Sequence, residues 1–180
     1  VTATYLDTSV ILARYIPSDP SFHSVENFFK RMSEPRYISE ISILELYCVF
    51  SRLINGASLS ALDGVRGFGQ LTIDEKVRVA VEHAVRTWRV KVMVPERTFV
   101  RLPLSKQTFE IAHELFEAIR SSPVVGLKTL DALHVAYAHS IRELVPDLNT
   151  FTTLDKDILS KSEAIQKETD IRVVTILAGE

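Results

Sequence analysis

The chain has a single cysteine, Cys48, among its 180 residues, so no internal disulfide can form and a reducing compartment suits it. Cys48 lies in an apolar helical stretch, where a small buried hydrophobe is expected rather than a nucleophile. No apolar run approaches the ~20 residues that a transmembrane helix needs. A basic segment leading into an apolar one, as in a secretory signal, is also missing. A membrane protein is not expected, and a cytoplasmic address follows as the default. Repeats, low-complexity tracts and linkers are absent too, which points to one domain over residues 1–180. Nor is charge of either sign in excess: a net charge of −2 argues against a broadly basic nucleic-acid-binding surface, while leaving room for a local basic strip beside an acidic site.

What is present is ordinary for a soluble globular protein, 46% hydrophobic and 24% charged, and long enough for one well-packed core. Ala3, a β-prone Tyr5 and Leu6 predict a first strand, and Val10, Ile11 and Leu12 then lead into Ala13 and Tyr15 as a helix. The change falls at Asp7, which places it at the carboxyl end of a strand, the edge of an open α/β sheet where ligands collect. Pro17-Ser18-Asp19-Pro20 marks a turn, and Ser21 is the predicted cap of a helix carrying Phe22, Val25, Phe28, Phe29 and Met32. Tyr37-Ile38 suits a second strand. Residues 39–54 read as a longer helix with Ile43, Leu44, Tyr47, Phe50, Leu53 and Ile54 on its buried side, stopped by Asn55-Gly56. A helical signal interrupted by Gly64, Gly67 and Gly69 follows, and residues 57–95 read as a helical insertion. Strand signals at 91–94, 150–153 and 172–176, with helices at 105–120 and 130–141, complete an α/β layer structure with a mainly parallel sheet.

Three more carboxylates occupy settings like that of Asp7. Glu45 is a charge inside an otherwise apolar helical run, which is seldom buried unless paired or metal-bound. Asp131 opens Leu130-Asp131-Ala132-Leu133-His134-Val135-Ala136, among small and apolar side chains. Asp155 follows Phe151-Thr152-Thr153-Leu154, just past a strand end. Each admits a plainer role: Asp7 and Asp155 as helix caps, Asp131 as a first-turn acid, Glu45 paired with Arg52.

Taken together, in this order and on these elements, the four positions resemble the PIN-domain nucleases. That family has an Asp ending strand one before Thr-Ser or Thr-Asn, a Glu in the helix after strand two, an Asp opening an Asp-Ala-hydrophobic helix, and an Asp in a Thr-x-Asp-x-Asp-type segment. The matches are Asp7, Glu45, Asp131 and Asp155, with Ser9 as the small polar neighbour of the first and Asp157 as a second acid that leaves the last choice open. The resemblance implies a PIN-like fold and a ribonuclease using Mg²⁺ or Mn²⁺ on these four acids, with Ser9 and Thr152 or Thr153 as supporting hydrogen-bond donors. The size matches small VapC-like toxins, which implies a homodimer and a partner antitoxin whose segment covers the site; surplus apolar residues on the first helices would suit such a surface. An RNA-processing nuclease without an antitoxin, and a catalytically quiet RNA- or protein-binding module, are the alternatives. The chemistry agrees independently of the family. Two carboxylates about 5 Å apart at an effective dielectric near 20 repel by roughly 3 kcal/mol, so converging acids call for protons or cations, and hard oxygen ligands select Mg²⁺ or Mn²⁺.

Other patterns are weaker. A phosphoryl-accepting Asp7 in a phosphatase would need a second Asp where Ser9 stands. Glu110-x-x-His113 and Asp131-x-x-His134 place pairs of ligands on one helical face, as in di-iron bundles, but the strand signals oppose an all-helical fold. His134 is a minor candidate as a group behind the site, and His23, His83 and His139 are expected to pack or face solvent. Arg14, Lys30, Arg31, Arg52, Lys128 and Lys156 are candidates for RNA phosphates, each with a solvated face as its plainer role.

Overall fold

The computed structural model describes residues 2–56, 62, 65–93 and 127–176. The expected helix at 105–120, with Glu110 and His113, lies outside the described residues. Along the chain run β1 (Ala3–Leu6), α1 (Thr8–Ala13), α2 (Phe22–Arg31), β2 (Arg36–Ser39), α3 (Glu40–Gly56), a 3₁₀ turn (Phe68–Gln70), α4 (Ile73–Thr87), β3 (Val90–Met93), α5 (Thr129–Leu144), β4 (Leu148–Thr152), α6 (Lys156–Leu159), α7 (Ser162–Thr169) and β5 (Arg172–Val174).

The five strands form one sheet in the order β3-β2-β1-β4-β5, every neighbouring pair parallel. Parallel strands need crossovers, and these put helices on both faces. Alternation along β1 sorts the core: Ala3 and Tyr5 face one side with Phe151 and Leu148 of β4, against Val135, Ala136 and Ile141 of α5 and Ile165 of α7. Leu6 and Ile38 face the other, against Val10 and Ile11 of α1, Val25 and Phe29 of α2, Leu46 and Phe50 of α3, and Val77 and Val81 of α4. Tyr5 stacks on Phe151 at 5.2 Å, and Phe29 on Trp88 at 4.5 Å. Arg36, buried in β2, donates to the backbone carbonyls of Trp88 and Met32 and so ties the ends of α4 and α2 to the sheet.

Within the stretch read as an insertion, α4 packs along α3 and adds Val77, Ala80, Val81 and Ala84 to the core. Its start is a capping box: Thr72 Oγ1 accepts from the Glu75 N–H, and the Glu75 carboxylate accepts from the Thr72 N–H at 2.9 Å. Thr72→Ala is expected to cost about 1 kcal/mol, read as a lower urea midpoint with an unchanged slope.

Ser21 holds the expected N-cap position of α2, though without a side-chain cap bond; its N–H donates to Asp19 Oδ1 at 2.7 Å. Two expectations are corrected here. On α3, Phe50, Ile43, Leu53 and Ile54 pack on the core as expected, joined by the fully buried Ser42 and Leu46, while Leu44 and Tyr47 turn outward at 64% and 37% exposed. Cys48 is exposed as well, because it lies on the same outward side of the helix.

Candidate active site

The strand order changes direction between β1 and β4: β1 leads outward through β2 to β3, and β4 leads the other way to β5. The crevice beyond the carboxyl ends of these two strands is the topological switch point of the sheet. Asp7 follows β1, Asp155 comes shortly after β4, and Glu45 of α3 and Asp131 of α5 reach the same place from opposite faces. All four line one cleft of about 410 Å³, together with Thr8, Ser9 and His134. A larger cleft of about 590 Å³, along Thr4, Phe28, Thr150, Thr152 and Val174, contains none of them. Chemistry rather than size singles out the smaller one.

Asp7 occupies the N-cap position of α1 but makes no side-chain cap bond. Its Oδ2 instead accepts from Ser9 Oγ at 2.5 Å and Thr153 Oγ1 at 2.8 Å, with the residue 6% exposed. Thr153 Oγ1 in turn accepts from the Asp155 N–H at 2.9 Å, and Ser9 Oγ from the Leu154 N–H at 3.2 Å, so the two strand ends are stitched together. Glu45 Oε2 accepts from Thr8 Oγ1 at 2.5 Å and meets His134 Nε2 at 2.7 Å. The plainer pairing of Glu45 with Arg52 is not made: Arg52 donates to its own helix at Cys48 O. Asp155 Oδ1 caps α6, accepting from the N–H groups of Asp157 and Ile158.

A common pattern emerges. Asp7, Glu45 and Asp155 each have one carboxylate oxygen saturated by donors, and the other has no hydrogen-bond partner among the described residues. Asp131 goes further, since its Oδ2 is buried and unpartnered. Burial, and next the charges of Asp155 and Asp7, push its carboxyl up to about 6. Glu45 shifts the other way: burial would raise it, but the His134 hydrogen bond and charge, with Thr8, outweigh that and lower it. His134 is raised for the matching reason, its burial overcome by Tyr5, Glu45 and Asp7.

Hard oxygen donors on half-used carboxylates, one of them an orphan in a buried setting, are the donor set a small divalent cation takes. Among the described residues, no three acidic, cysteine or histidine side chains are drawn close enough to chelate an ion as they stand. By donor chemistry the acids that line the cleft, Asp7, Glu45, Asp131 and Asp155, suit such an ion.

Two of the expected supporting residues stand elsewhere. Thr152 turns to the other face, where its hydroxyl meets Thr4 Oγ1 at 2.8 Å. Asp157 is exposed and pairs with Lys128 Nζ at 2.9 Å, which lowers its pKa, so Asp155 is the acid in the cleft. Thr8 and the firm place of His134 were missed. The only signal for His134 was its spacing, three residues from Asp131 on one helical face.

The PIN-domain family model matches residues 4–164. Among solved structures, a chain in the crystal structure of VapBC2 from Rickettsia felis bound to a DNA fragment from their promoter is similar in fold. The TM-score is 0.55 over 97% of this chain and 98% of that one, at 12% identity. A comparison with curated protein sequences finds no match.

Proposed function

The chain belongs to the PIN-domain family, and from that premise we propose that it is an endoribonuclease that depends on Mg²⁺ or Mn²⁺ and serves as the toxin of a VapBC-type toxin–antitoxin pair. The observation that carries the reading is the convergence at the switch point of acids that each keep one oxygen spare, with the Asp131 oxygen buried and unpartnered. Binding alone gives no reason to gather such mutually repelling groups.

Asp7, Glu45 and Asp131 would hold the cation, with Asp155 completing the site directly or through water. Such an ion supplies Lewis acidity toward a phosphodiester and lowers the pKa of a water. The chain's own part is to prepare the acids. Ser9 and Thr153 fix Asp7, Thr8 and His134 fix Glu45, and the start of α6 fixes Asp155, so little reorganisation remains when substrate arrives. Arg52 at the cleft margin suits an RNA phosphate.

The antitoxin half of the reading is supported by the rim. Leu44 and Leu130, 64% and 49% exposed, flank the acids, and Leu12, Ile41 and Val49 continue the apolar lining. A contiguous apolar margin around a charged cleft suits a protein segment that covers it. The solved neighbour of similar fold is a VapBC2 complex bound to a promoter DNA fragment, which agrees with a VapBC-type partner. A homodimer and a cytoplasmic location are part of the proposal. No helix among the described residues is long and apolar enough to cross a membrane.

The test is incubation of the folded chain, freed of any bound protein, with a pool of structured and unstructured RNA in Mg²⁺, Mn²⁺ or EDTA. Cuts with either ion and none in EDTA are expected. Intact RNA under every condition would overturn the reading.

A further inference from the structure

His134 is 1% exposed, yet it is neither apolar nor idle. Its Nε2 lies 2.7 Å from Glu45 Oε2, and its Nδ1 lies 2.9 Å from the Tyr5 hydroxyl. Tyr5 is buried, and its hydroxyl also meets Ser39 Oγ at 2.8 Å and Ser42 Oγ at 3.2 Å, both of which are fully buried. A polar chain therefore runs from β1, past the end of β2 and the first turn of α3, through α5 to the Glu45 carboxylate. Buried polar groups of this kind cost stability unless they are fully paired, and here the surrounding layer is otherwise apolar: Val135, Ala136 and Phe151.

Both ring nitrogens are occupied, so His134 has no lone pair to offer a cation. The chain holds in either charge state of the ring. With Nδ1 bare, the Tyr5 hydroxyl donates to it; with Nδ1 protonated, the same oxygen accepts and the hydroxyl proton turns to a serine. What is invariant is the bond to Glu45. Thr8 and His134 together take up Oε2, leaving Oε1 as the oxygen without a partner among the described residues.

We propose that His134 is the positioning residue for Glu45, fixing one carboxylate oxygen so that the other is presented to a divalent cation, with Tyr5 fixing the ring in turn. This rests on the cation-dependent reading above. It makes α5 a double contributor, supplying a ligand at Asp131 and the clamp of another ligand three residues later on the same face.

The experiment is Mn²⁺ titration by calorimetry without RNA, on the wild type, His134→Gln, Tyr5→Phe, Glu45→Gln and the His134→Gln/Glu45→Gln double variant, each checked for folding by circular dichroism. His134→Gln is expected to weaken Mn²⁺ binding about 10- to 100-fold, the range typical of groups that orient a metal ligand. Tyr5→Phe should act in the same direction by less. On the Glu45→Gln background, His134→Gln should add almost nothing, because its effect passes through that carboxylate. Undiminished affinity in folded His134→Gln, or full additivity in the double variant, would overturn the proposal while leaving the cation reading intact. Should His134→Gln not fold, undiminished affinity in folded Tyr5→Phe does the same. A wild type that binds no Mn²⁺ overturns the cation reading itself, and this inference with it.

Discussion

Asp7→Asn is expected to reduce metal-dependent RNA cleavage by at least about 100-fold, beyond the upper end of what losing an orienting group costs, while the chain stays folded. The amide keeps the size of the carboxylate, so the packing around a 6% exposed side chain survives. Its two ends are no longer equivalent, however. If the amide oxygen stays on Ser9 and Thr153, which donate to it at 2.5 and 2.8 Å, the NH₂ group points where a cation needs an anion. If the amide flips, two hydroxyl donors face two N–H donors, and the stitch between the ends of β1 and β4 is strained as well. Neither orientation restores the ligand. Asp157→Asn makes the contrast: that carboxylate faces Lys128 at the surface, so cleavage should change by no more than about twofold. Initial rates on one fluorogenic RNA at saturating Mn²⁺ read both. Equal losses at Asp7 and Asp157, or no loss at Asp7, would show that the cleft has been misassigned.

Asp131→Asn is expected to stabilise the metal-free protein at pH 7 and to leave it unchanged near pH 4. The Asp131 carboxyl is raised by burial and by Asp155 and Asp7 from its usual 3.8 to about 6 in the folded chain. Between these values the folded chain holds a proton that the unfolded chain has released, so stability falls as pH rises through that window. At neutral pH the folded state carries a charge that Lys128 only partly offsets, and the amide removes it. After allowance for solvent screening of a half-buried group, the gain is about 1–2 kcal/mol, or roughly 2–8 °C in melting temperature. Mg²⁺ or Mn²⁺ should invert the order at pH 7, stabilising the wild type and not the variant. The same proton competes with the cation, so affinity should fall by up to about tenfold per pH unit below 6. Melting scans in EDTA and in Mn²⁺ at the two pH values are enough, and a variant less stable than wild type at pH 7 in EDTA would refute the argument.

The convergence of Asp7, Glu45, Asp131 and Asp155 was legible because each sits at a predicted element boundary or breaks an apolar run, and parallel α/β connectivity sends strand ends to one edge. What the acids touch was not legible. Thr152 and Thr153 are adjacent, and side chains alternate across a sheet, so only the register that sets Thr152 beside Leu6 decides which hydroxyl reaches Asp7. His134 meets Glu45 because α3 and α5, packed on opposite faces of the sheet, both reach the crevice beyond the carboxyl end of β1, a relation between residues 89 positions apart that no local pattern encodes. The outward turn of Leu44 and Tyr47 on α3 has a related cause. Its apolar residues form two stripes, one on the core at Leu46 and Phe50, the other at the cleft margin at Leu44 and Cys48. Periodicity reports apolar character but not what covers it.

The stitch at Thr153 also sets when in the life of the molecule the site can exist. Asp7 and the hydroxyl that orients it are separated by 146 positions, and β1 is flanked on one side by β4. While the chain is being synthesised, Asp7, Glu45 and their helices are made long before Asp131, Thr153 and Asp155. Through that interval the emerging chain has half a constellation and an open β1 edge. Pairing across so long a loop comes late in folding. On the proposed reading, cleavage waits until the chain is released far enough to close β4 against β1, and a chain truncated before residue 148 is expected to be inert.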